Sequence, residues 1–312
     1  MEKINDNEKN IESFFKLSRP NDELYKTYSK KKAFSEEYSL KVPNYILLKS
    51  GSSIVEVAFN YLARFMIARI INKNKINFIS NLNAEDGIDY FKEEDQKLIF
   101  EQYDIYLEEV EHYINGSDEI SLKELTKVAC FLSRLEHAKR KNWIPIEQTL
   151  KFIKKEDKEI LNEVNHLGIV FYDDFIFKNM VKENSVVVFN PYFGRYCKNL
   201  KPFISLVYID GVLWNLKTTK INVKNSEDLT KMWQYLVFHS VCKITGEQNY
   251  SLRNLEIKAL AFFKARFGEI EFLKIKDIDK NKLTKACETT LKLISEINLN
   301  QNQRDIENNL TI

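Results

Sequence analysis

Residues 203–220 read FISLVYIDGVLWNLKTTK, two β-branched and aromatic runs on either side of Asp210-Gly211. An Asp-Gly pair between such runs signals a two-residue hairpin loop, in which both central residues take positive φ. That loop pairs Tyr208 with Leu213, Val207 with Trp214, Leu206 with Asn215 and Ile204 with Lys217. Side chains alternate along a strand, so Asn215 and Lys217 share one face with Leu206 and Tyr208. An amide and an ammonium on an otherwise apolar face require a reason. Lys217 there can offset phosphate charge, assist a water or pair with a carboxylate. The plainer alternative is a strand-end lysine reaching solvent.

Two further polar residues interrupt apolar runs. Glu56 stands inside SSIVEVAFNYLARFMIARIIN and Gln234 inside SEDLTKMWQYLVFHSVCK. Glu56 fits a structural ion pair with Lys217 or Arg64, or a ligand role. Gln234 fits a helix residue bonded to backbone, or one that orients a bound strand. Other chemistry lacks support. The four cysteines, Cys130, Cys197, Cys242 and Cys287, are widely spaced, which argues against both zinc and a disulfide framework. The four histidines show no metal-ligand spacing, no GxSxG elbow frames a nucleophile, and neither GxxxxGK[ST] nor GxGxxG occurs. No nucleotide cofactor is expected.

The elements that must position these residues can be outlined from pattern. The chain has 312 residues, 44% hydrophobic, with a net charge of +2. That composition fits a folded protein, and the charge is too small to establish a nucleic-acid partner by itself. Neither a run of apolar residues long enough for a membrane span nor a signal-like N-terminus is present, so a soluble, cytoplasmic protein is expected. Residues 1–45 form a polar N-terminal arm. Residues 46–165 are mainly helical, with a buried helix over 52–72 and further helices within 84–114 and 121–142. The basic end of the last, His137, Lys139, Arg140 and Lys141, suits a helix C-terminus. Strand character runs from about 166 to 280, beginning with GIVFYDDFIF, where Asp173-Asp174 is expected to be a turn between strands. A helix begins at Ser226, strands follow over LEIKALAFFKA and IEFLKI, and residues 281–312 form a C-terminal helix and tail.

With these segments in order, the chain resembles the PD-(D/E)XK nuclease superfamily, in its RecB-type branch. The resemblance rests on the hairpin, on Asn215-Leu216-Lys217-Thr218-Thr219 at the (D/E)-x-K triplet, and on Gln234-Tyr235-Leu236-Val237-Phe238 at the Q-x-x-x-Y helix. It rests also on AFFKARFGEIEFLKI at the closing strands and on VEVAFNYLARF at the first core helix. It implies an α/β fold, a restriction-endonuclease-like mixed sheet core flanked by helices, with a helical N-terminal region. Members of that family bind Mg²⁺ or Mn²⁺ through an acid on each hairpin strand, because hard cations take charged oxygen ligands. Here those positions hold Leu206 (or Ile204) and Asn215. The resemblance therefore implies a catalytically degenerate nuclease-like protein, with no metal ligands and no cofactor. Lys217, Gln234 and Glu56 would be vestiges of the site, and Lys217, Lys220 and Arg266 would contact nucleic acid. It would act as a nucleic-acid-binding or partner-docking subunit, in anti-phage defence or DNA repair. Without its acids, the pocket around Lys217 is expected to be neutral or positive and to attract anions. Two alternatives stand beside this: an active nuclease with a migrated site using Glu56, Asp210 or Glu247 with Mg²⁺ or Mn²⁺, and a protein scaffold that binds no nucleic acid.

Overall fold

A computed structural model describes residues 6–44, 49–71, 83–117, 119–141, 157–195, 206–218 and 226–309. Cys197, Ile204, Thr219 and Lys220 lie outside these. The chain is an α/β protein built on a six-stranded mixed open sheet with helices flanking it. The strands are β1 (Lys26–Thr27), β2 (Val187–Phe189), β3 (Leu206–Ile209), β4 (Val212–Lys217), β5 (Ala259–Lys264) and β6 (Glu269–Lys274), in the order β1-β6-β5-β4-β3-β2. Only β4 and β5 run parallel. A parallel pair needs a long crossover, and a helix spanning Ser226–Ile244 lies in that connection.

The hairpin has the register expected from its turn. Leu206 lies opposite Asn215, Val207 opposite Trp214 and Tyr208 opposite Leu213. Asp210 and Gly211 have φ of 48° and 93°, the pair of positive angles that the loop demands. The Asp210 carboxylate accepts from the Val186 N–H at 2.8 Å, which ties the turn to the segment before β2.

Among the described residues, the helices are α1 (Asp6–Ser18), α2 (Lys49–Ile71), α3 (Glu93–Ile114), α4 (Leu122–Lys141), α5 (Lys158–Phe171), α6 (Ser226–Ile244) and α7 (Lys280–Asn309). On one face of the sheet, α2, α4 and α5 bury Phe59, Leu62, Leu132 and Phe171 against Val207, Trp214, Leu216 and Phe263. On the other, Phe15 of α1, Trp233 and Phe238 of α6 and Ala286 of α7 pack with Leu206, Leu213 and Phe262. A helix apolar on nearly every side must be central, and α2 is.

Two expectations are corrected. The run GIVFYDDFIF is helical, not a strand. Asp157 caps α5 by accepting from the Glu159 and Ile160 amides, and buried Ile160, Val164, Leu167, Phe171 and Phe175 follow at helical spacing. The β-branched and aromatic residues there serve a helix face, and α5 continues as one π-turn over Tyr172–Ile176. Asp173-Asp174 is thus no turn between strands. Asp174 is buried and pairs with Lys41 at 2.5 Å and Lys178 at 2.7 Å. The division at residue 166 consequently falls inside a helix, and residues on both sides of it share one core.

The N-terminal arm is integrated, with α1 against α6 and α7 and β1 extending the sheet beside β6. Arg266, at the β5–β6 turn, holds this arrangement. Its guanidinium donates to the backbone oxygens of Thr218, Val42 and Pro43 at 3.1, 3.3 and 3.0 Å and pairs with the Glu163 carboxylate of α5. Both side chains are fully buried. Removing one partner leaves an uncompensated charge. Arg266→Ala should lower unfolding stability by about 3–5 kcal/mol, measured by urea titration; a loss below about 1 kcal/mol would refute the role given to Arg266.

His239 of α6 is buried, with its Nδ1 lacking a hydrogen-bond partner among the described residues and its ring edge-on to Tyr250. Burial, with Lys243 adding to it, lowers its pKa from 6.5 to about 4. The unfolded chain therefore binds a proton between these values that the folded chain does not, so the contribution is full above pH 6.5 and is lost as pH falls toward 4. The loss should approach 3 kcal/mol, about 1.4 per pH unit. His239→Leu should flatten that part of the stability–pH curve in chemical denaturation; an unchanged slope would count against this assignment.

Candidate functional site

Lys217 ends β4, and the structure brings two carboxylates to it. Its Nζ lies 3.0 Å from Glu56 Oε1 on α2 and 3.3 Å from Asp228 Oδ1 on α6. The two helices approach from opposite faces of the sheet, so the lysine at the strand's end bridges between them. Burial opposes its charge, but the two carboxylates outweigh that, and Lys217 holds its proton more tightly than a free lysine. For Asp228, burial wins over the attraction of Lys217, and its carboxyl lies above the ordinary aspartate value. Beside them on β5, Lys264 is the register partner of Lys217 and contacts Glu271 at 3.5 Å. Glu271 also accepts from the Tyr38 hydroxyl at 2.9 Å and from the Phe34 N–H at 3.0 Å. Among the described residues, this row holds three carboxylates and two ammonium groups.

The positions that the family resemblance would give to metal ligands are apolar or neutral. Leu206 is 3% exposed and Asn215 is not exposed at all. A hydrocarbon and an amide do not fit a hard divalent cation, and an ammonium already stands between the two carboxylates that could have replaced them. Mg²⁺ or Mn²⁺ therefore does not fit here. Among the described residues, no group of three or more His, Cys, Asp or Glu side chains is arranged to hold a metal ion.

Of the residues singled out in the sequence, Glu56 and Lys217 come together. Gln234 is buried further along α6, with its Nε2 lacking a hydrogen-bond partner among the described residues. Arg266 is a correction. It is 1% exposed and committed to Glu163 and three carbonyls, so it is not a nucleic-acid contact. The pocket is expected to be neutral or positive; among the described residues, Lys217 there is engaged by two carboxylates. Asp210 serves the turn, and Glu247 pairs with Arg195 at 2.9 Å; neither belongs to this cluster. Cys130, Cys242 and Cys287 are free and buried.

Asp228, in the first turn of α6, is a member of the cluster that no motif in the sequence singles out. Its signal was its place at four-residue spacing from buried Met232 and Leu236, on the stripe that faces the sheet. Glu227, by contrast, pairs outward with Lys231 at 2.6 Å. On α2, Glu56, Asn60 and Arg64 make a polar stripe at the same spacing. Asn60 and Arg64 line a small cleft of about 30 Å³ beside Leu206 and Phe189. Arg64 lies over the Phe189 ring at 4.9 Å, and in the same cleft the Tyr61 hydroxyl donates to Glu136 at 2.7 Å.

Among the described residues, no helix is long and apolar enough to cross a membrane. Comparison with family models, characterised proteins and solved structures finds no match to this chain.

The coupling within the cluster is testable by stability. Lys217→Met leaves Asp228 buried without its cation and should cost about 3 kcal/mol at neutral pH. That cost should shrink as pH falls through the raised pKa of Asp228, because the neutral acid no longer needs a partner. Adding Asp228→Leu should recover most of the loss at neutral pH. Additive losses in the double variant, by urea unfolding, would mean the two residues are not coupled.

Proposed function

We propose that this protein is a catalytically degenerate relative of the PD-(D/E)XK nucleases that acts as a partner-docking subunit. The observation that carries this reading is the ion-paired lysine. The triplet lysine is engaged with Glu56 and Asp228, while the hairpin acid positions hold Leu206 and Asn215. A lysine in that state neither assists an attacking water nor meets a phosphate without first breaking two ion pairs. Topology supports the kinship: a helix, three antiparallel strands β2-β3-β4, the crossover helix α6 and parallel β5 follow the order of a restriction-endonuclease-like core. The same observation weakens a nucleic-acid role for Lys217 and leaves docking of a protein partner as the stronger part of the proposal, with anti-phage defence or DNA repair as the setting that the resemblance suggests.

A migrated-site nuclease is the second reading, favoured by one observation. Asp228 is a mostly buried carboxyl with a raised pKa beside a lysine, a combination typical of catalytic groups. Incubation of purified protein with duplex DNA, single-stranded DNA and RNA, in Mg²⁺ or Mn²⁺, separates the two. No cleavage above a mock purification is expected, and Lys217→Ala should change oligonucleotide affinity by less than about twofold, since its charge is already neutralised locally. Cleavage that Lys217→Ala and Asp228→Asn each abolish would establish the migrated site instead.

A further inference from the structure

At the opposite end of β5 from Lys264, five residues and about 16 Å away at strand spacing, a groove of about 620 Å³ opens between the β5–β6 end and the start of α7. Its floor is aliphatic, formed by Ile257, Ile275, Ile278 and Leu283. Around it stand Lys258, Lys274, Lys276 and Lys280, all exposed, with Glu256 the one acid in the lining. Among the described residues, none of these four ammonium groups forms an ion pair, whereas nearby Asp277 is engaged by Lys26 at 3.6 Å. The groove is pre-formed on backbone. The Lys258 N–H donates to Gly211 O at 2.6 Å, and the Ile275 N–H donates to Lys258 O at 2.9 Å. Lys258 packs its stem over Gly211, where a Cβ would meet it at 3.0 Å.

Four cations without a carboxylate partner among the described residues gather on one groove, Lys274 also lying over the Phe272 ring at 5.8 Å. In a chain whose net charge is only +2 they are a local field rather than a general basicity. The aliphatic floor decides between polyanions. Single-stranded nucleic acid is held by aromatic platforms on which bases stack, and the lining has none. A duplex offers a convex phosphate surface that would leave the floor unfilled. An amphipathic protein segment fills both parts, with aliphatic anchors on the floor and carboxylates at the lysine rim. We propose that this groove docks an acidic, aliphatic segment of a protein partner. The site shares no residue with the Glu56–Lys217–Asp228 cluster, so either can fail without the other.

Selection of a random peptide display library against the full chain tests this, with peptides long enough for about four helical turns. Enriched peptides should be net negative, with Leu, Ile or Val at helical spacing. By fluorescence anisotropy, Lys274→Glu with Lys276→Glu should weaken them at least about tenfold, and the loss should be smaller at high salt. Leu283→Ser should weaken them by a similar factor without changing the salt dependence. Both lysines are exposed and, among the described residues, form no ion pair, so the charge-reversed protein should unfold within a few degrees of the parent. Failure to enrich acidic peptides, or acidic peptides indifferent to these reversals, would overturn the proposal. So would a labelled oligonucleotide that binds where the peptides do not and is lost on the same reversals, which would make the groove a nucleic-acid contact.

Discussion

The guanidinium of Arg266 is the constraint on which the rest of the structure depends. It is fully buried, so each of its donors must find an acceptor, and those acceptors come from distant parts of the chain. One is the carbonyl that follows Lys217, two belong to the N-terminal arm, and the carboxylate belongs to α5. The Arg266 carbonyl in turn accepts the Lys41 and Val42 amides at 2.8 and 3.1 Å. One side chain thus fixes the end of β4 relative to the β5–β6 turn, and with it the height at which Lys217 leaves the sheet. A lysine placed one residue further along would point to the other face.

From that placement the electrostatics of the edge follow. Lys217 and Lys264 are adjacent on parallel strands, and two ammonium groups side by side repel unless carboxylates separate them. Glu56, Asp228 and Glu271 supply those charges from α2, α6 and β6. The row therefore joins both helical layers to the sheet through charge, where apolar packing alone would give no register. Burial makes each member dependent on the others, which is why Lys217 is held protonated while Asp228 is raised.

Much of this was legible in the sequence, and the reasons differ by segment. The hairpin register followed from Asp210-Gly211, because a two-residue loop leaves a single pairing. The Glu56–Lys217 pair was one of the options for a carboxylate in an otherwise apolar helix. The α5 helix was not recognised, because Val170, Phe171 and Phe175 carry β propensity, and their helical spacing shows only when the count begins at Ile160. The resemblance implies a nucleic-acid contact for Arg266, whereas its burial depends on Glu163, more than a hundred residues away, which no local pattern reveals. For Asp228, helical spacing from Met232 and Leu236 places it on the sheet-facing stripe, but its partner lies on another element.

The neutral residues on the hairpin and the pairing of its lysine are two aspects of one charge balance. Acids at 206 and 215, as the family resemblance would have them, would join Glu56 and Asp228 around Lys217, four carboxylates beside one ammonium. Such a set repels itself unless a divalent cation enters or protons bind. With Leu206 and Asn215 in those places, Lys217 faces two carboxylates instead of four and pairs with both. Changing either feature singly would then be unfavourable. One acid introduced at 206 or 215 adds buried negative charge without completing a ligand set, and loss of the lysine removes the cation that both carboxylates face. The apolar hairpin face and the ion-paired lysine therefore stabilise one another, and a site of this kind, once closed, serves the fold as a charge clasp between α2, β4 and α6.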